Sequence, residues 1–151
     1  MPFTPEQLSA AGELPVIIIQ GVITVDGTTY SSVVREMMAV AKFVDEAQAA
    51  YAGNLLVQSA LMRFIDESGN IDTGLDSNKV EYIPTDDVLA SVDYVMDLFA
   101  GLPELLGYKQ FIYTLAEKIA TAAGTGLLGM GAKVSEEEAA LLQALQARLD
   151  V

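Results

Sequence analysis

Apolar residues recur at intervals of three and four along most of the chain, a period that predicts helices rather than strands. The pattern is clearest from Tyr108 to Leu149. Phe111, Ile112, Leu115, Ile119 and Ala123 share one side of a first arm, with Lys109, Glu117 and Lys118 opposite. In a second arm Leu141, Leu142, Leu145 and Leu149 form the apolar stripe, while Glu137, Gln143 and Gln146 look outward. Ser135 followed by Glu138 reads as a capping box: the serine oxygen accepts from an orphan amide and the glutamate reaches back to the amide of the cap. Glu136, Glu137 and Glu138 also suit the positive end of a helix dipole.

Upstream, Thr4 and Gln7 around Pro5 signal the start of a short helix that Gly12 closes. Leu14 to Val25 is ambiguous. Its Val and Ile content suits a strand, with Asp26-Gly27 as a hairpin turn, whereas its unbroken apolar run and the helical pattern downstream favour a buried helix ending at a left-handed Gly27. Ser31 or Ser32 then caps a helix lined by Val33, Met37, Val40, Ala41 and Val44. A break at Ala52-Gly53-Asn54 leads to another with Leu55, Leu56, Ala60, Leu61, Phe64 and Ile65 facing the core. Thr85 caps a further one with Val88, Leu89, Val92, Val95, Met96 and Phe99 inside and an acidic ridge of Asp86, Asp93 and Asp97. Gly101-Leu102-Pro103 ends it, and Leu105 and Leu106 make one short turn before the final pair. The expected fold is all-α, a single domain over residues 1–151: a compact bundle of about six to seven helices built from two loosely repeated helix-loop-helix pairs packed face to face.

Two loops invite a chemical reading. Gly124, Gly126 and Gly129 spell GxGxxG, but a dinucleotide site needs a strand before the glycines and a helix opening on them. Here a helix precedes them and the next begins near Ser135, so a loop tucking Leu127, Leu128 and Met130 onto the core is the better account. The connector from Asp66 to Asp87 holds seven carboxylates against Lys79. It is no EF-hand, because counting from Asp66 the sixth position is Ile71 rather than glycine and the twelfth is Ser77 rather than glutamate.

Composition narrows the function classes. Eight Lys and Arg against 21 Asp and Glu give a formal charge of −13, which repels phosphate backbones and anionic lipid. Nucleic acid is therefore not an expected partner, whereas divalent cations or a basic protein surface are. Without Cys or His there is no thiolate, no disulfide and no histidine base, and any metal would be held by oxygen. No nucleophile stands in a catalytic setting, so an enzyme is not expected. Met-Pro-Phe-Thr-Pro-Glu lacks the basic and apolar regions of a secretory signal, and the uncharged run Ala47 to Met62 is too short to span a bilayer. The expectation is a cytoplasmic chain without direct membrane insertion.

Val25-Asp26-Gly27 followed by Ser31-Ser32 and a helix, together with Val134-Ser135-Glu136-Glu137-Glu138 opening a helix after an alanine-rich one, resembles the repeated segments of the TerB-like tellurite-resistance family. That family's repeat runs Asp-Gly, a short gap, an aliphatic residue, Ser or Asp, and a Glu opening the next helix. The resemblance spans about residues 20 to 150. It implies a non-enzymatic, all-helical stress-resistance protein that binds divalent cations such as calcium or magnesium through acidic clusters and works with membrane-associated protein partners. Its candidate metal ligands here are Asp26, Glu137 and Glu138. Neither repeat is complete: Val33 and Val34 stand where the first glutamate belongs, and Gly131 and Ala132 replace the second Asp-Gly. The residues by themselves allow plainer roles, Asp26 as a turn residue and Glu136 to Glu138 as capping groups. The alternative function is a structural protein that forms homo-oligomers through Met- and Leu-rich helices, with Met37, Met38, Met62, Met96 and Met130 as adaptable contacts.

Overall fold

The computed structural model describes residues 2–25, 30–76, 80–123 and 134–151, and within them six helices: α1 (Pro5–Thr24), α2 (Tyr30–Ala50), α3 (Leu55–Met62), α4 (Thr85–Leu98), α5 (Leu105–Ala123) and α6 (Glu136–Leu149). Among the described residues there is no strand, only an antiparallel bridge from Ile65 to Ile71. The all-α bundle expected from periodicity is what the chain forms.

Helix α1 is the hub, packed against α3, α4 and α5, while α2 lies along α5 and meets α1 only slightly. The expected short helix ending at Gly12 does not exist as a separate element. A Thr4 capping box with Gln7 opens α1, and the helix then runs through both Gly12 and Pro15 to Thr24. Burial explains the continuity. Leu14, Ile18, Ile19, Val22 and Ile23 are each no more than 1% exposed. At about 1.5–3 kcal/mol per buried aliphatic side chain, they outweigh an interior proline that costs about 3 kcal/mol. The strand alternative for Leu14 to Val25 is thereby settled in favour of helix, as far as the described residues reach.

Pro15 has no N–H for the carbonyl of Ala11, four residues earlier. The hydroxyl of Tyr108, from α5, donates to that carbonyl at 2.8 Å, and Tyr108 is fully buried. A long-range side chain thus replaces the missing helical hydrogen bond. Tyr108 also meets Phe99 edge-on at 5.1 Å between ring centroids and leans on Phe111 at 6.1 Å, and Phe111 stacks on Phe43 of α2 at 5.7 Å. This aromatic row joins α2, α5 and the end of α4.

Two glycines let elements approach α1 closely. A Cβ on Gly21 would sit 2.7 Å from a Val88 methyl of α4, and one on Gly12 would sit 3.0 Å from Cδ of Arg63, the residue that closes α3. Asn54 ties α3 to α5: its carbonyl oxygen accepts from the amide of Val57 at 3.0 Å, and its amide donates to the Glu104 carbonyl at 2.9 Å.

Several local expectations are corrected. Thr85 is the first residue of α4, not its cap; Pro84 occupies the cap without a side-chain hydrogen bond. Leu55 is 51% exposed rather than core, Ile65 is half-buried, and Leu105 starts α5 itself instead of a separate turn. Helix α2 begins at Tyr30, ahead of Ser31 and Ser32, so these serines stand inside its first turn. The glycine joint 124–131 and the Asp26-Gly27 turn lie outside the described residues.

Helix α1 is, among the described residues, the helix long and apolar enough to cross a membrane by length and composition, and 61% of that window is buried within the bundle. Here it serves as a core helix.

Candidate functional site

The three candidate metal ligands are not brought together by anything the structure describes. Asp26 lies outside the described residues, Glu137 is exposed on α6, and Glu138 is only 2% exposed. Glu138 is occupied as the sequence predicts. Its amide donates to Ser135 Oγ at 3.1 Å, and its Oε1 accepts from the Ser135 amide at 3.2 Å and the Ser135 hydroxyl at 3.0 Å. Two orphan amides at the start of α6 are satisfied reciprocally. A cation approaching Oε1 would compete with the cap for that oxygen.

The acidic connector is built by its own aspartates. Oδ1 of Asp66 accepts from the amides of Ser68 and Asn70, each at 2.9 Å, and Oδ1 of Asp72 accepts from the amide of Gly74 at 2.9 Å. The Asp72 amide donates to the Phe64 carbonyl at 2.7 Å, which closes a small loop around the Ile65–Ile71 bridge. Gly69 and Gly74 supply the left-handed backbone, at φ 82° and 71°. Asp66 and Asp72 are therefore turn builders, while Glu67, Asp76 and Glu81 are exposed.

On α4 the expected ridge of Asp86, Asp93 and Asp97 is exposed. Asp86 and Asp87 sit in the first turn, where the dipole favours them, and Asp93 pairs with Arg148 of α6. Across the described residues every carboxylate is exposed except the buried Glu36 and Glu138 and the half-buried Glu104. No group of three or more acids converges among the described residues.

Two residues escape a reading of the sequence. Glu36 is 2% exposed, and its spacing with Val33 and Val40 on one stripe of α2 is the available signal. Tyr94, 53% exposed, donates its hydroxyl to the Glu6 carboxylate across the α1–α4 seam. That hydrogen bond, with some desolvation and the charges of Glu6 and Glu13, raises its phenol above the ordinary tyrosine range. No local pattern announces a contact between residues so far apart in the chain.

In comparisons with known proteins, no family model, no curated protein and no solved structure matches the chain.

Proposed function

We propose that this chain is a non-enzymatic, TerB-like helical protein of stress resistance that works by holding a basic protein partner against its acidic surface. The observation that carries the reading is the placement of the charge. A chain of formal charge −13 keeps nearly all its described carboxylates in water, spread over α1, α4, α6 and the connector instead of gathered about one point. A spread of this kind suits an extended basic surface better than a single ion, because each carboxylate keeps its own hydration until a broad partner displaces it. Of the candidate ligands, Glu138 is taken up by its cap, which weighs the reading toward a protein partner and away from calcium or magnesium. The tandem helical pairs and the Ser135–Glu138 cap are the features that support kinship with the tellurite-resistance proteins.

The test is affinity purification of the intact chain from its own cells at low and at about 0.5 M salt, with the bound proteins identified by mass spectrometry. A protein with a basic surface, retained at low salt and released at high salt, is the expected result. Recovery of nothing specific, or of a partner indifferent to salt, contradicts the proposal.

Self-association is a second reading with its own observation. Leu55 and Met62, 51% and 74% exposed, lie on one stripe of α3 beside an apolar groove that Pro2, Phe3 and Leu8 complete. If this face joins two copies, light scattering gives a dimer that the double substitution Leu55→Ser with Met62→Ser dissociates. A monomer at working concentration removes this reading.

A further inference from the structure

The seam between α1 and α4 is not closed at the surface. A trough with a cavity volume of about 320 Å³ runs along it, lined by the buried Ala10, Leu14 and Val95, the half-buried Ile17 and the exposed Ala90. Glu13 and Tyr94 stand at its rim, and Glu6 is held there by the Tyr94 hydroxyl. The lining between them is mostly apolar, and Ala10 and Ala90 present only methyl groups to it. Another backbone can therefore approach closely.

The charge around the trough is of one sign. Helix α1 carries Glu6 and Glu13, helix α4 carries Asp86, Asp87, Asp93 and Asp97, and neither contains a Lys or Arg. At 3.6 residues per turn, Glu6, Ala10, Glu13 and Ile17 share a face of α1, while Asp87, Ser91 and Tyr94 share a face of α4. Two cations beside these helices are engaged elsewhere: Arg63 lies against Gly12 on the α3 side of α1, and Arg148 is paired with Asp93. An apolar channel with carboxylates on both banks is complementary to a helix whose apolar stripe is flanked on both sides by Lys and Arg.

We infer that the α1–α4 trough is the docking site for a basic amphipathic helix of a partner protein, with apolar anchors over Ile17 and Ala90 and cations against Glu13 and Asp87. This inference rests on the basic-partner reading and gives it a location. An acidic helix would meet the same lining but be repelled by its banks. An extended basic peptide would satisfy the banks but lack the continuous apolar stripe that the lining takes.

The probe is a synthetic helix of Leu and Lys with leucines at i, i+3, i+4 and i+7, compared with its Leu/Glu counterpart. Both are titrated into the intact chain and followed by NMR shifts and fluorescence anisotropy at about 0.01 and about 0.15 M salt. The expected result is binding of the Lys helix alone, with shifts centred on Ile17, Ala90 and Tyr94. The substitution Glu13→Lys with Asp87→Lys should weaken that binding about tenfold or more, and Ala90→Trp should block it by filling the trough. Both alter exposed positions, and the charge reversal leaves the trough's shape intact should the tryptophan disturb folding. Shifts centred on another face, or affinity unmoved by the charge reversal, overturn the trough as the site and leave the basic-partner reading standing. No binding of the Lys helix at low salt, or equal binding of the Glu helix, overturns both.

Discussion

A carbonyl that has lost its helical donor to a proline is expensive to bury, and in this chain one hydroxyl removes that cost. Tyr108→Phe keeps the ring and its packing against Phe99 and Phe111 but leaves the Ala11 carbonyl without its 2.8 Å partner. The expected loss is about 1–3 kcal/mol in chemical denaturation. Pro15→Ala restores an amide at the position where Ala11 would be bonded by the helix itself, so the phenylalanine should cost less in that background, with a coupling of about 0.5–3 kcal/mol. Additive single and double variants would show that the hydroxyl and the proline are not linked. Burial also pushes the Tyr108 phenol well above its usual range. Below about pH 10 the phenol is neutral in folded and unfolded chains alike. Above it the unfolded chain releases the proton and the native chain holds it, so stability falls as pH rises. Thermal midpoints should decline above about pH 10, and less steeply in Tyr108→Phe.

Helices α4, α5 and α6 are legible in the sequence because each shows one wet and one oily face, which fixes its period without reference to the rest of the molecule. Helix α1 does not read as one piece, because Gly12 and Pro15 are local stop signals and what overrides them, the burial of Leu14 to Ile23 and the Tyr108 hydroxyl, depends on distant segments. Thr85 resembles a cap for a related reason: Thr, Asp and Pro stand together there, and the backbone places the boundary one residue earlier at Pro84. The candidate site is legible only in part. The capping box at Ser135 and Glu138 is a local motif and forms as expected, whereas the Tyr94–Glu6 contact joins two helices and has no local signature. Close approach of elements gives a second prediction at this scale. Gly21→Ala should gain about 1 kcal/mol of helix propensity, yet its methyl would press at 2.7 Å on Val88, which is fully buried. Overpacking costs about 1–3 kcal/mol, so the net effect in urea unfolding should be destabilising. A stabilised variant would mean that α1 and α4 separate easily. Ser135→Ala, which removes the cap's acceptor for Glu138, should cost about 1 kcal/mol in the same measurement.

For the molecule as a whole, charge is what the packing of the helices leaves unbalanced. At −13, with most of the described carboxylates exposed, the folded chain repels itself, and the repulsion reaches about 30 Å at 0.01 M salt and about 8 Å at 0.15 M. Raising salt over that interval should therefore raise the thermal midpoint; a flat or falling midpoint would mean that the surface charge is already compensated. Whether the same charge serves a protein partner or an ion is decided most directly by calorimetry on the intact chain, titrated in parallel with calcium and with a basic amphipathic helix at both salt concentrations. The basic-partner account predicts heat from the helix that shrinks as salt rises, and calcium binding no tighter than about millimolar. Calcium held more tightly than that, with no heat from the helix, would contradict it.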